Sequence, residues 1–467
     1  MNRNNYSELE SSFAAIEMKN SLPTPNSINA IFNEMDYHQA TQLYLWAIPL
    51  VTFAKWQRVH EGEFSATSGD LVTYKGYKEV SGILTANATT PYTIGFIDLS
   101  KTGPMIIDMP KGHIAGGFSD FWQREVAAVG EMGPDKGEGG KYILLLPGQE
   151  DDSRYEEEGY FIIRNRSMNT FFGLRTLDPD PTVCEELVNS VHIYPYSKKE
   201  SPPKTNMITP EGRSYYAGPP KGLEYWEILH EIIQHEVIEE RDRFFIEWLD
   251  NLGVKKDSEL KLTEQQKEIL IAATEKGEQM AQTNSFAKRF SNNKHWENRN
   301  WDYVTIIPNS NQRGENFDFF FERSSYFYEA VTYSKAMITK IPNVGQAYLG
   351  AYQDEKGQWL DGGKNYRLRV PANQPAVNFW SITVYDSITR CLIQNAQQNA
   401  DISSRKNIQL NEDGSVDIYF GPNAPAGHES NWVQTNREAY WFTYLRLYGP
   451  TIQYFDKSWV IEDIEEI

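Results

Sequence analysis

The feature that most constrains this chain is a set of short apolar runs fenced by Gly, Pro and Asp. Tyr92–Leu99, Met105–Met109, Tyr142–Leu146 and Tyr160–Arg164 are such runs, and Pro104, Gly133-Pro134, Gly139-Gly140 and Pro147-Gly148 punctuate them. Runs this short, bounded by turn formers, predict strands. The same signal returns late in the chain at Tyr366–Val370, Phe379–Tyr385, Val416–Phe420 and Tyr440–Tyr448. Turn sequences at Asp354–Gly357 and Asn411-Glu412-Asp413-Gly414 flank them. In Tyr366-Arg367-Leu368-Arg369-Val370 apolar and charged residues alternate, which predicts one wet face. Phe379–Tyr385 reads as a central strand with Trp380, Ile382 and Val384 on one face. Many short strands with regular turns predict β-sandwiches or barrels, and the late block reads as an antiparallel sandwich.

Helical patterns fill the rest. A helix is predicted from Ile31 to Arg58. Its most apolar part, Thr41–Trp56, is 16 residues long and holds Pro49. It is short for a membrane span and reads as a buried helix broken near Pro49. Residues 201–222 form a Pro/Gly-rich connector. Trp226, Leu229, Ile233, Val237, Phe244, Trp248 and Leu252 then give a stripe at helical spacing. Thr263 and Gln266 make a capping box that starts a helix over Glu264–Phe290, and a third helical stretch is predicted over Phe317–Ile338. The opening 30 residues are a polar lead-in without a basic start and apolar stretch, so no signal peptide is read and the written chain reads as cytoplasmic.

Charge and cysteine usage exclude some functions. The formal charge of −19, from 64 acidic and 45 basic residues, disfavours a nucleic-acid partner. The run Glu150-Asp151-Asp152 with Glu156-Glu157-Glu158 reads as a solvated loop. Cys184 and Cys391 are far apart and form no CxxC, so they read as two buried thiols rather than a disulfide or zinc site. Aromatic residues at 13% fit core filling first, and a ligand groove or subunit contact second.

No complete catalytic motif appears. His230 and His235 are five apart, so they point about 140° from one another on a helix and cannot share a metal as in HExxH. Glu231 and His235, or Glu227 and His230, could meet, but helix-surface pairing explains them; no metal and no cofactor are predicted. Gly133–Lys141 lacks phosphate-loop spacing and precedes a strand, so it reads as a glycine-rich loop. A G-x-S-x-G elbow is missing. Asp98, Asp108, Asp361 and Asp386 lie in or beside strand runs. A pair of acids such as Asp98 and Asp386 is the catalytic option, against turn capping. Trp380, Tyr385, Arg446 and Tyr448 are the candidates for a ligand groove or interface, beside Arg369, Tyr440, Trp441, Phe442 and Tyr444.

Several stretches resemble one known family. In the first half they are ATQLYLWAIPLV (40–51), TIGFIDLSKTGPMIIDMP (93–110) and GPDKGEGGKYILLLPG (133–148). In the second they are DEKGQWLDGGKNYRLRVP (354–371), FWSITVYD (379–386), LNEDGSVDIYFG (410–421), NWV (431–433) and LRLYGP (445–450). The order of these motifs is similar to the two-domain bacterial family that joins a domain of unknown function 1254 to a domain of unknown function 1214. The resemblance implies jelly-roll-like β-sandwich domains and, for many members, export to the cell envelope. It implies no agreed activity. One departure stands out: where the family commonly reads T-P-N-x-D-T, this chain has Thr85-Ala86-Asn87-Ala88-Thr89-Thr90, with Thr89 in place of the acid.

The fold expected is mainly β with a helical insert: two jelly-roll-like antiparallel β-sandwich domains joined by a helical middle. The divisions are a lead-in at 1–30, a first sandwich at 31–200, a connector and helical middle at 201–340, and a second sandwich at 341–467. The function expected is a non-catalytic binding or assembly protein, a homo-oligomer with a glycan or small-molecule ligand and no transmembrane segment. The alternative is a hydrolase acting on a carbohydrate or envelope polymer through paired carboxylates.

Overall fold

The computed structural model describes residues 16–149, 151–178 and 180–467. The start of the polar lead-in and Glu150 of the acidic run lie outside the described residues. Helix α1 spans Pro25–Gly62, longer at both ends than the sequence pattern predicts. The Thr24 side chain caps it by accepting from the Ser27 amide, and Pro25 sits in the first turn, where a missing N–H costs nothing. The predicted break at Pro49 does not occur. Proline removes a helix hydrogen bond and crowds the carbonyl one turn back. Here side chains from three later segments bond the backbone around it. Tyr225 donates to the Tyr44 carbonyl (2.7 Å), Arg323 Nη2 to that of Trp46 (2.7 Å) and Gln123 Nε2 to that of Pro49 itself (2.9 Å). Every residue from Leu43 to Ala54 is buried, as a helix apolar on all sides must be.

Four later helices pack on α1: α2 (Leu223–His235), α3 (Arg243–Asn251), α4 (Glu264–Phe286) and α5 (Phe320–Glu329). The capping box of Thr263 and Gln266 starts α4. A β-carbon at Gly277 of α4 would fall 2.4 Å from the Tyr44 ring, so only glycine allows the two helices this approach. The stripe from Trp226 to Leu252 is split between α2 and α3. The buried Glu236 carboxylate accepts from the Met168 and Asn169 amides (2.7 and 2.9 Å) and holds the chain extended, which leaves Val237 and Phe244 exposed. Of the predicted stretch Phe317–Ile338 only α5 and the short 3-10 turn Lys335–Met337 are helical. The chain leaves the helix at the extended Ala330, and Thr332, at φ 63°, keeps it out, its amide donating to Gln123 Oε1 (2.7 Å).

Besides a two-stranded pairing of Met18–Lys19 with Leu22–Pro23, each half of the described chain carries two larger sheets. In the first, a six-stranded sheet runs through Met207–Ile208, Leu71–Tyr74, β1 (Tyr92–Asp98), β3 (Asn169–Thr176), β2 (Ile114–Asp120) and Glu125–Gly130. A four-stranded sheet holds His192–Pro195, Met105–Met109, Gly140–Leu145 and Phe161–Arg164, and one apolar cluster draws residues from both sheets. In the second half the five-stranded sheet is Asp302–Tyr303, β4 (Gln346–Ala351), β6 (Trp441–Pro450), β5 (Ala376–Asp386) and Asp401–Ser403. The four-stranded partner is Trp432–Gln434, Val416–Gly421, Tyr366–Val370 and Glu465–Glu466.

Pairing is antiparallel except at three edges. Met207–Ile208, Phe161–Arg164 and Trp432–Gln434 pair parallel to their neighbours. Each follows its partner by a connection long enough to cross over, which a tight hairpin could not do. The middle segment is also not purely helical, since Met207–Ile208 and Asp302–Tyr303 each add an edge strand to one half's sheet. Strand and helix thus share the structure more evenly than the expected mainly-β fold. Both cysteines are free; Cys391 is buried, whereas Cys184 is only half-buried because it lies on the short surface helix Pro181–Asn189. Among the described residues no helix is long and apolar enough to cross a membrane.

Candidate functional site

The alternation of two facing strands builds the site. In β6, Phe442, Tyr444, Arg446 and Tyr448 share one face, and register pairs them with Tyr385, Thr383, Ser381 and Phe379 of β5. On the other side of β6, Arg446 pairs with Tyr348 and Tyr448 with Gln346 of β4. In β3, Phe171, Gly173 and Arg175 share the face opposite the core residues Phe172 and Leu174, beside Gly117 and Ala115 of β2. Where these faces meet, between the two halves, lies a cavity of about 680 Å³. Part of its first-half wall is small side chains, Ala115, Gly117, Gly173 and Ala128, beside larger ones such as Trp56, Tyr92 and Phe171. Tyr348, Tyr444 and Arg446 face them, and the strap Ala330–Met337 after α5 closes one side.

Two guanidiniums meet at this place. Arg446 is buried. Its Nε and Nη2 donate to the Tyr385 hydroxyl (3.0 and 2.7 Å), Nη2 also donates to the Thr85 carbonyl, and its plane lies 4.8 Å over the Tyr348 ring. Arg175 lies deep as well, yet keeps some accessible surface because it faces the cavity. It sits 4.2 Å over the Tyr92 ring, and its Nη1 donates to Thr90 Oγ1 (3.1 Å) and, at 3.5 Å, to the Tyr448 hydroxyl. Asn87 Nδ2 donates to the same hydroxyl at 2.6 Å. Burial works against ionising the Tyr448 phenol, but Arg175 and Arg446 outweigh it and hold the phenol below its ordinary range. The adjacent Tyr348 phenol, by contrast, is driven up, first by burial and next by Tyr448.

The stretch 85–90, where the chain departs from the family pattern, forms one side of this site. Besides the bonds above, the Ala86 carbonyl accepts from Tyr385 (3.0 Å), and Thr89 Oγ1 donates to Asp401 Oδ2 (3.0 Å). A threonine at position 89 therefore meets a carboxylate of the second half, where an acid would face like charge.

Of the residues singled out from sequence, Tyr385, Arg446 and Tyr448 come together here. Trp380 lies on the opposite face of β5, in the core against the four-stranded sheet. Asp98 caps a short helix, accepting from the Ser100 amide (3.1 Å) and pairing with Lys101 (3.0 Å). Although burial works the other way, these partners hold its carboxyl below the usual range. Asp386 accepts from the Ile388 and Thr389 amides in a turn (3.0 and 2.7 Å). Neither acid lines the cavity. His230 bonds the Ser258 carbonyl, and Glu231 pairs with Arg58. Among the described residues no group of three or more His, Cys, Asp or Glu could hold a metal ion. Sequence reasoning missed Arg175, Tyr92, Asn87 and Tyr348; the one signal for Arg175 was its place in the Phe171–Gly173–Arg175 alternation.

A search of curated proteins finds no match. A crystal structure of a Vibrio parahaemolyticus protein is similar in fold, at 16% identity over 92% of this chain and all of that one, with a TM-score of 0.54. A crystal structure of an uncharacterised Burkholderia cenocepacia protein aligns at 10% identity over 99% of this chain and 94% of that one, with a TM-score of 0.43. Two families described as proteins of unknown function match the chain, DUF1254 at residues 71–195 and DUF1214 at residues 345–452. The chain thus carries matches to both domains, DUF1254 in its first half and DUF1214 in its second, in the order that its motifs resemble.

Proposed function

We propose that this is a non-catalytic binding protein that holds a small molecule in the cavity between its two halves. One observation carries the reading: a mostly apolar cavity of about 680 Å³ on which a few polar groups converge. Ligand sites have this size and character, and they favour domain interfaces. The lining argues against hydrolysis by paired acids. Among the described residues Glu125 is the one carboxylate on it, and that group accepts from the Lys335 amide (2.5 Å). We also read each half's two sheets as a jelly-roll-like sandwich, supported by the apolar cluster between the first pair. Self-association into a homo-oligomer is part of the proposal; a strict monomer by size-exclusion chromatography with light scattering removes that part.

The test is titration of the full chain with octanol, followed by calorimetry and by intrinsic fluorescence, since Trp56 lines the cavity. Saturable binding at one site per chain is expected. Ala115→Phe, which places a ring in the cavity, should abolish it while leaving the thermal transition in place. Binding that is unaffected by this substitution refutes the reading.

A further inference from the structure

We propose that the ligand of this cavity is a small organic carboxylate whose head is held by Arg175 and Arg446 together. The inference rests on the cavity being a ligand site and names the class of molecule that fills it.

The first observation is a missing counter-charge. Elsewhere three deep cations meet acids, Arg124 with Asp120 (2.8 Å), Lys288 with Glu329 (3.4 Å) and Arg390 with Glu278 (3.6 Å), while Arg323, away from the cavity, bonds the Trp46 carbonyl. Arg446 and Arg175 have phenols, a threonine hydroxyl and a carbonyl as partners. Among the described residues neither has a carboxylate in salt-bridge range. A guanidinium cannot shed its proton to escape burial. Two of them beside one apolar cavity, in a chain of net charge −19, leave a place for an anion from outside.

The second observation is unused donors. Arg446 Nη1 and Arg175 Nε and Nη2 make no hydrogen bond among the described residues, although both side chains line the cavity. Guanidinium forks match the planar, two-oxygen geometry of a carboxylate. A phosphate head is less well served. Backbone N–H groups at a helix N-terminus are its usual cradle, but α5 presents its C-terminal end here, at Ala330, and β2, β3, β4 and β6 spend their amides in the ladders. The walls of Ala115, Gly117, Gly173 and Ile94 suit a slim apolar body behind the head.

The experiment compares octanoate, octanol and octyl phosphate on the full chain by calorimetry at neutral pH. Octanoate should bind about tenfold or more tightly than octanol, the worth of charge-assisted hydrogen bonds. Arg175→Met and Arg446→Met should each weaken octanoate more than octanol, bringing the two together, and Arg175→Lys should restore part of the difference. Equal affinity for acid and alcohol overturns the inference, as does a preference that survives both methionine variants. Tighter binding of octyl phosphate overturns the carboxylate assignment. If Arg446→Met does not fold, Arg175→Met and the wild-type comparison decide the matter. Octanol binding that Ala115→Phe abolishes, with no preference for the acid, sinks this inference alone; binding of neither probe sinks the cavity reading with it.

Discussion

Two regions of this protein bury positive charge in opposite ways. At the end of α5, the Lys288 and Glu329 side chains are both fully buried, 3.4 Å apart. Lys288 also donates to the Ser285 carbonyl (2.5 Å) and the Tyr352 hydroxyl (2.9 Å), and Tyr352 donates to Glu329 (2.8 Å). Every charge there has its opposite, as a structural element requires. At the cavity, Arg175 and Arg446 rest on aromatic rings and neutral acceptors alone. The contrast separates charge that holds the fold together from charge kept in reserve for another molecule. The location matters too: Lys288 and Glu329 are sealed in, whereas Arg175 and Arg446 border space.

The sharpest way to break this contrast is to remove one member of the sealed pair. Glu329→Ala should lower stability by about 3–5 kcal/mol, read by chemical denaturation, because it strands a buried ammonium. A buried acid without a cation gives the next largest effect. Burial pushes the Glu236 carboxyl from 4.5 up to about 7, against the bonds it accepts from Asn169 and Met168. Between these values the folded protein keeps a proton that the unfolded chain has released. Its contribution to stability is therefore fully present below pH 4.5 and declines as pH rises toward 7, by roughly 3 kcal/mol in all. Denaturation across that range should show the decline in wild type and lose it in Glu236→Gln. An acid can neutralise itself in this way, and an arginine cannot, which is what distinguishes Glu236 from the cavity. Arg175→Met should cost less than about 1 kcal/mol of stability, since it removes one good hydrogen bond and a ring contact and strands no partner charge. A loss as large as that for Glu329→Ala would erase the distinction. The smallest effect is spectroscopic. Tyr448→Phe should delete the earliest phenol to ionise in an ultraviolet pH titration, because the two guanidiniums hold that phenol low.

Much of the fold was legible because strand periodicity and turn residues are local signals. Phe379–Tyr385 showed its two faces in sequence, and Thr263 with Gln266 marked the start of α4. The errors fell where distant residues overrule local preference. Pro49 reads as a break until Tyr225, Arg323 and Gln123 are seen around it. Glu236 ends a helix because it bonds a turn almost seventy positions away. The site was half legible. The aromatic and basic crowding of β6 pointed to Arg446 and Tyr448, but Arg175 reaches them from a strand 273 positions earlier. Trp380 and Tyr385 fell into one candidate group, although strand parity, odd against even, sets them on opposite faces of the sheet.

The continuity of α1 across Pro49 bears on how the molecule comes into being. The segment leaves the ribosome early, yet its backbone accepts bonds from the later side chains of Gln123, then Tyr225, then Arg323. Until the last of these has been synthesised one of the three side-chain bonds to this stretch of α1 is missing, so the helix does not reach its final surroundings from the first half alone. A gene cut just after the first matched domain would place Tyr225 and Arg323 on the second fragment, and association of the two pieces would be needed to restore their bonds to α1.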